Sequence, residues 1–284
     1  MNTLRFLRYG EKGEERPAVL DQDGNIRSVH QYLDDIDATV LDQLDSILSG
    51  IDIAALPLID ADVRIAPPIA APGNVIAVGL NYREHIQETS SKTPDEPLLF
   101  NKSPHAICGA NDPIMIPKGA ERVDWEVELV IVIGRESRYL TKEQALSAIG
   151  GFCLGVDVSE RDFQKNHSGQ WMKGKSADTF GPVGPYLVST SQVNLDDGLS
   201  LWLDVNGTRK QEASTLQMMH DVPALISYIS QFMSLHPGDL IFTGTPDGVG
   251  MARNPPEFLQ LGDRVECGIT GLGKQQHTVI ASTD

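Results

Sequence analysis

The order of apolar and polar residues along the chain predicts more strands than helices. The strongest strand signal covers residues 125–134, whose two faces alternate: Val127, Leu129, Ile131 and Ile133 on one, and Glu126, Glu128, Val130 and Val132 on the other. Shorter strand signals lie at residues 3–9, 75–79, 155–158, 240–243 and 264–269, and residues 17–29 predict two strands around the Asp23-Gly24 turn. We therefore expect a mainly β protein with mixed sheets and a few covering helices.

Helical periodicity is confined to short segments. Residues 40–48 bring five apolar side chains to one helical face, namely Val40, Leu41, Leu44, Ile47 and Leu48. Thr141 and Gln144 predict a capping box for a helix that continues through Ile149. Asp221 predicts the cap of a helix with the apolar residues Leu225, Ile226, Ile229 and Phe232. The polar residues 81–96 predict a short helix and a mobile loop.

Prolines mark the domain boundary that the sequence predicts. Pro57, Pro67, Pro68 and Pro72 punctuate a stretch in which long regular structure is disfavoured. We expect a small N-terminal α+β domain over residues 1–70 and a larger, mainly β domain over residues 71–284.

Amino-acid composition indicates the cellular compartment and excludes some classes of binding partner. The three cysteines lie far apart in 284 residues and form no pair typical of a disulfide or zinc site, which favours a reducing, cytoplasmic setting. No stretch has the character of a secretory signal or a membrane span. Acidic residues outnumber basic ones by 39 to 23, and the formal charge of −16 argues against nucleic acid or anionic lipid as a partner. An anionic substrate would need local positive charge, which a bound metal ion supplies most compactly.

Three acidic residues accompany the most apolar strands. Glu126 and Glu128 leave the same face of their strand within about 7 Å of each other, and Asp157 lies at the end of the next apolar strand. If that face is covered, an unpaired carboxylate costs on the order of several kcal/mol, which a shared cation relieves. Oxygen ligands suit Mg²⁺, Mn²⁺ or Ca²⁺ better than zinc. The spacing is equally compatible with a solvated sheet face on which the glutamates pair with arginines.

A histidine and a glutamate form a second candidate pair. His85 and Glu88 are three residues apart, so on a helix they share a face and can hydrogen-bond. A carboxylate bound to imidazole fixes its tautomer and raises its basicity, as a water-activating base requires. An exposed polar pair on a surface helix would have the same spacing.

Four further residues offer donors for an anionic substrate. Arg161, Gln164 and Lys175 could serve a carboxylate and a developing enolate, and Thr245 lies beside exposed backbone amides. Taken alone, Arg161, Gln164 and Lys175 are each more typical of a surface position.

Six ordered segments resemble the fumarylacetoacetate hydrolase superfamily. They extend over about residues 70–270 and comprise residues 79–88, 97–104, 124–129, 155–164, 173–182 and 243–250. The resemblance implies a mixed β-roll catalytic domain, and family members are commonly homodimers or larger assemblies such as homotetramers. One departure is Ala177, which stands where the Lys-Ser-x-Asp motif often carries phenylalanine and which we expect to widen the pocket.

The resemblance also implies roles for individual residues. It implies that Mg²⁺ or Mn²⁺ is held by Glu126, Glu128 and Asp157. It places His85 and Glu88 in a water-activating pair on a lid that orders when substrate binds, and Lys175 near the reacting oxygens. The substrate-binding positions that it implies are Tyr82, Arg161, Gln164 and Thr245.

The activity implied is hydrolytic cleavage of a carbon–carbon bond in a 2,4-dioxo acid. The chain looks most similar to bacterial hydrolases of 2,4-diketo-3-deoxy-L-rhamnonate or L-fuconate, and the rhamnonate derivative would give pyruvate and lactate. Decarboxylation of oxaloacetate, hydration of a dienoic acid and isomerisation of a hydroxymuconate are alternatives on the same scaffold. An alternative of another class is a non-catalytic β module in which the carboxylates form a closed Ca²⁺ cage.

Overall fold

Most of the regular secondary structure in the computed structural model is β-strand. The structure describes residues 4–282, and Thr3 of the first predicted strand lies outside the described residues. The described strands are β1 Arg5–Tyr9, β2 Arg16–Leu20, β3 Ile26–Ser28, β4 Ile65–Ala66, β5 Val75–Gly79, β6 Leu98–Lys102, β7 Ile107–Cys108, β8 Ile114–Ile116, β9 Val123–Asp124, β10 Val127–Ile133, β11 Ile149–Val156, β12 Ser159–Glu160, β13 Gly181–Pro182, β14 Leu187–Ser189, β15 Ser200–Val205, β16 Thr208–Ser214, β17 Leu240–Phe242, β18 Arg264–Ile269 and β19 Gly273–Ala281. The α-helices are short: α1 Leu44–Ile47, α2 Arg83–Glu88, α3 Lys142–Ala145, α4 Arg161–Asn166, α5 Met172–Lys175 and α6 Val222–Ile229. The mainly β prediction is confirmed.

Two mixed sheets organise the chain. The larger has ten strands in the order β3-β2-β1-β14-β11-β10-β17-β5-β6, with β4 paired to β1. The smaller has five strands in the order β16-β15-β18-β19-β8. Parallel pairing joins β17 to β5 and β19 to β8, whereas most other neighbours are antiparallel. The β15–β16 hairpin was not predicted from the sequence.

Strand β10 lies at the centre of the large sheet and is buried on both faces. Its residues Val127, Leu129, Ile131 and Ile133 belong to the core cluster that also contains the inward side chains of β15 and β18. Val130 and Val132 belong to a second cluster, formed largely with the N-terminal segment. The two alternating faces predicted from the sequence are therefore confirmed, because each face meets its own apolar layer.

The N-terminal strands extend the large sheet. Phe6 of β1 is paired with Val19 of β2 on one side and with Leu187 of β14 on the other. The apolar residues of the 40–48 segment pack beneath them, but the predicted helix is mostly a series of turns, and only Leu44–Ile47 is α-helical. The apolar side chains of this segment are buried without a continuous helix, because tertiary packing outweighs the helical spacing of apolar residues in the sequence. The division near residue 70 stays a prediction.

Two other predicted helices are shorter than expected. Gln144 accepts from the Thr141 N–H at 3.0 Å as the capping prediction required, yet α3 ends at Ala145 and β11 begins at Ile149. Asp221 caps α6 by accepting from the Ala224 N–H at 2.8 Å. Phe232 was wrongly included in that helix, since it lies beyond it and is 64% exposed. Within residues 4–282, no helix is long and apolar enough to cross a bilayer.

Candidate metal-dependent active site

Antiparallel pairing of β10 with β11 gathers the three predicted carboxylates. Val127 is paired with Val156, so that Asp157, just after β11, donates its N–H to the Glu126 carbonyl at 2.8 Å. One carboxylate oxygen from each of Glu126, Glu128 and Asp157 lies within 4.8 Å of the others. All three side chains are buried, which excludes the alternative of a solvated sheet face.

The charge on these carboxylates is only partly balanced by the protein. Burial, and then the charges of Asp157 and Glu126, raise the pKa of Glu128 well above its ordinary value. Burial would also raise the pKa of Glu126, but Lys175 and Arg161 outweigh it and lower that pKa. Glu128 accepts the Gly244 N–H at 2.7 Å, and no cation of the described part of the chain forms an ion pair with it. Buried, mutually repelling oxygen donors fit Mg²⁺ or Mn²⁺.

Two lysines lie against the carboxylates. Lys175 at the end of α5 donates to Oε2 of Glu126 at 2.8 Å and to Oδ2 of Asp157 at 2.7 Å. Lys102 at the end of β6 donates to Oδ1 of Asp157 at 2.5 Å and to the Lys175 carbonyl at 2.6 Å. Lys102 was assigned no role from the sequence. The available signal was its place in one of the resembling segments, two residues after the apolar run Leu98-Leu99-Phe100.

The predicted histidine–glutamate pair forms on α2. Nδ1 of His85 lies 2.8 Å from Oε1 of Glu88, and His85 is 5% exposed. Glu88 also accepts the Gly248 N–H at 2.9 Å. A neutral ring that donates Nδ1–H to this carboxylate has Nε2 as its proton acceptor. The exposed surface pair considered from the sequence is thereby excluded.

Arg161 and Gln164 lie on one turn of α4. The Arg161 Nε donates to Oδ2 of Asp124 at 2.8 Å, and its Nη2 lies 2.7 Å from Oε1 of Glu126. Its Nη1 donates to Oε1 of Gln164 at 3.0 Å. The guanidinium therefore joins Glu126 to Asp124, a buried partner that was not singled out from the sequence.

The remaining predicted residues occupy different surroundings. Thr245 is buried, donates to the Val127 carbonyl at 2.9 Å and accepts from Gln211 at 2.8 Å. Tyr82 precedes α2 and is buried, with a hydroxyl that has no partner in the part of the chain described. Burial raises the pKa of this phenol. Its contact with substrate stays a prediction, as does the wider pocket expected at Ala177, which packs against the main core.

A small cavity of about 50 Å³ lies at the centre of these residues. It is lined by the three carboxylates, His85, Lys175, Arg161, Gln164 and Thr245. Its wall also includes residues that the sequence did not suggest: Thr89, Ser91, Phe100, Lys165, Trp171 and Met251. A groove of about 580 Å³ between Ile116 and Leu261 is larger, but none of these carboxylates or His85 lines it. The three carboxylates, which could hold a metal ion, thus line the same cavity as the histidine. A catalytic site requires this arrangement, whereas a closed Ca²⁺ cage does not.

Comparison with known proteins agrees with this architecture. Residues 74–280 match the family described as fumarylacetoacetate (FAA) hydrolase C-terminal. A Burkholderia lata protein named as a hydrolase, without a stated substrate, is 45% identical over 278 residues, covering 97% of this chain and 99% of its own.

Two solved structures are similar to this protein over nearly all of its chain. The fumarylacetoacetate hydrolase of Exiguobacterium antarcticum has a TM-score of 0.87 at 35% identity, covering 98% of this chain and 100% of its own. The maleylpyruvate hydrolase of Sphingobium sp. SYK-6, solved with manganese(II) and pyruvate, has a TM-score of 0.81 at 26% identity, covering 98% of this chain and 100% of its own. The matched sequence and the shared fold show that this chain belongs to the fumarylacetoacetate hydrolase family.

Proposed function

We propose that the protein is a metal-dependent hydrolase that cleaves the C3–C4 bond of a 2,4-dioxo acid of the acylpyruvate type. The observation that carries the proposal is that the Glu126, Glu128 and Asp157 carboxylates line the same cavity as His85, whose Nδ1 lies 2.8 Å from Oε1 of Glu88. A carboxylate triad suits Mg²⁺ or Mn²⁺, and a histidine oriented by a glutamate suits the activation of water.

Different residues of the site carry out different steps of the proposed reaction. When bound, the dication would polarise the C2 carbonyl of a 2-oxo acid and draw electron density toward it. His85 takes a proton from water at Nε2 while Glu88 holds its Nδ1–H, and the resulting hydroxide attacks C4. The C3–C4 bond then breaks, its electron pair passes to the C2–C3 unit as an enolate, and the Lys175 ammonium stabilises the negative charge. Transfer of the proton from Nε2 of His85 to C3 then gives pyruvate and the second acid and restores the base.

For the natural substrate we propose 2,4-diketo-3-deoxy-L-rhamnonate or its L-fuconate counterpart. Support comes from the likeness to hydrolases of this kind in overall length and in the opening residues 7–10. The hydroxyl groups of Thr89 and Ser91 on the cavity wall would suit the distal hydroxyls of a sugar acid. With the rhamnonate derivative the products would be pyruvate and lactate.

Decarboxylation of oxaloacetate is the second candidate, because a carboxylate triad and a nearby lysine would serve it equally well. The His85–Glu88 pair favours hydrolysis, since decarboxylation needs no activated water. The test is to incubate the protein with Mg²⁺ or Mn²⁺ and either acetylpyruvate or oxaloacetate, and to follow pyruvate. Release of pyruvate and acetate in equal amounts from acetylpyruvate supports the proposal; pyruvate from oxaloacetate alone rejects it. A panel of 2,4-dioxo sugar acids would then identify the preferred chain.

A further inference from the structure

One turn binds two carboxylates of the site through four successive backbone amides. Gly248 and Val249 donate to Oε2 and Oε1 of Glu88 at 2.9 and 3.5 Å. The next two amides, Gly250 and Met251, donate to Oδ1 and Oδ2 of Asp124 at 2.7 and 2.9 Å. The turn at residues 248–251 therefore contacts Glu88 through its first two amides and Asp124 through its last two.

Asp124 is 0% exposed and its oxygens are fully used. Besides the two turn amides, it accepts the Trp125 N–H at 2.8 Å and the Arg161 Nε at 2.8 Å. Arg161 in turn lies 2.7 Å from Oε1 of Glu126. A continuous series of polar contacts thus runs from Glu88 through the turn to Asp124, Arg161 and the metal-site glutamate.

The turn has little freedom to move independently of Asp124. Trp125 donates its indole N–H to the Gly248 carbonyl at 3.1 Å. A Cβ at Gly250 would lie 2.7 Å from Oδ1 of Asp124 and 2.1 Å from the Glu257 carbonyl, so the backbone can approach the carboxylate only at a glycine. An amide in place of the carboxylate would present N–H groups to some of these donors, leaving buried groups unpaired.

We propose that Asp124 is a positioning residue that aligns Glu88 and Arg161 as one unit through the turn at residues 248–251. Its role is to fix the position of the His85 ring relative to the Arg161 guanidinium on the other side of the cavity. Asp124 itself touches neither substrate nor base. The catalytic consequence rests on the proposed function, whereas the structural coupling does not.

The kinetic test compares Asp124→Asn with a matched control in the full-length protein loaded with Mn²⁺. Asp112 is the control, since it accepts Arg64 Nε at 2.8 Å, Arg64 Nη2 at 2.7 Å and the Gly109 N–H at 2.7 Å, away from the cavity. Misalignment by about 1 Å costs about 100-fold in rate, so Asp124→Asn is expected to lower kcat for acetylpyruvate by that factor while KM stays within about threefold. Asp112→Asn is expected to lower Tm and leave kcat unchanged.

Coupling with Glu88 separates positioning from general destabilisation. If both carboxylates act through one turn, the double variant Asp124→Asn, Glu88→Gln is expected to be about as slow as the slower single variant. If the fold-losses in kcat of the two single variants multiply in the double variant, the proposal is overturned. A lowered Tm with unchanged kcat in Asp124→Asn would overturn it as well.

A spectroscopic measurement covers the cases in which Asp124→Asn does not fold or acetylpyruvate is not cleaved. In protein labelled with ¹⁵N-arginine, the Nε–H resonance of Arg161, assigned with Arg161→Lys, is expected to shift in Glu88→Gln. It is expected to stay in place in Glu143→Gln, which changes an exposed glutamate on α3. An unshifted Arg161 resonance in Glu88→Gln would refute the coupling whatever the enzyme hydrolyses. A shifted resonance without acetylpyruvate cleavage would refute only the proposed reaction.

Discussion

The ammonium of Lys102 lies 2.5 Å from Oδ1 of Asp157, while the ammonium of Lys175 lies 2.7 Å from the other oxygen of the same carboxylate. Lys102 also donates to the main-chain carbonyl of Lys175 at 2.6 Å and is 2% exposed. One buried ammonium group therefore holds both a predicted metal ligand and the backbone of the predicted catalytic lysine.

Replacing Lys102 by methionine is expected to lower the free energy of unfolding by about 3 kcal/mol, because the substitution leaves a buried carboxylate short of one partner. Urea denaturation of the metal-free protein measures this loss. Lys92→Met is the control, since the Lys92 side chain is 90% exposed and, among residues 4–282, its ion pair is with exposed Asp95. Equal stability of the two variants would show that Lys102 does not hold Asp157 in solution.

His85→Ala and Glu126→Ala are expected to separate catalysis from metal binding. Loss of a general base lowers kcat by about 10² to 10⁴, whereas the carboxylates that would hold Mn²⁺ stay in place. Glu126→Ala removes one of those carboxylates and is expected to reduce both Mn²⁺ affinity and turnover. Pyruvate release and Mn²⁺ titration followed by electron paramagnetic resonance measure the two properties. Full activity in His85→Ala would contradict the water-activating role.

Mn²⁺ binding is expected to release a proton from Glu128. Burial, followed by the charges of Asp157 and Glu126, raises the pKa of this carboxyl well above the ordinary 4.5, so below the raised value a proton competes with the metal. The Kd for Mn²⁺ is therefore expected to rise by about tenfold for each pH unit below the raised pKa and to level off above it. Calorimetry in buffers of different ionisation enthalpy counts the proton, and Glu128→Gln is expected to abolish the release.

The same shift predicts how the metal-free protein responds to pH. Because the folded state holds the Glu128 proton more tightly than the unfolded chain, stability falls as pH rises from about 4.5 through the raised pKa. Saturating Mn²⁺ is expected to remove this loss, since the ion replaces the proton as the neutralising charge. Thermal unfolding with and without Mn²⁺ across this pH range measures the direction of the change in stability. If the stability of the metal-free protein rises with pH in both the wild type and Glu128→Gln, the prediction is contradicted.

Lys165 is expected to influence the choice between substrates with one and two carboxylates. It lines the cavity at an exposed position on α4 and forms no ion pair within residues 4–282. Burial, followed by the charges of Arg161 and Arg122, lowers the pKa of its ammonium, so an added anion nearby would be favourable. Lys165→Met is expected to reduce kcat/KM for maleylpyruvate by about tenfold relative to acetylpyruvate. Lys173→Met, on the neighbouring α5, is the control, and an unchanged ratio would exclude this role.

Local sequence reasoning was most accurate where one strand meets two apolar layers. The alternation across β10 could be predicted because side-chain direction reverses at each residue whatever the strand pairs with. It was least accurate for short helices, as at residues 40–48, because the same apolar spacing is satisfied by successive turns once Leu41, Leu44 and Leu48 are buried. Within the candidate site, the carboxylates and the His85–Glu88 pair were predicted from the sequence and lie together in the structure, while their roles in metal binding and catalysis stay predictions.

What the sequence determined by itself was the set of chemical groups and their local spacing: two glutamates on one strand face, a histidine one helical turn from a glutamate, and a family resemblance that covers most of the chain. The contacts that bring Lys102, Asp124 and the turn at residues 248–251 to one candidate site form only when the chain is folded. These partners come from strands and turns far apart in the chain, and their contacts depend on sheet register and on burial. Local residue patterns do not encode either property.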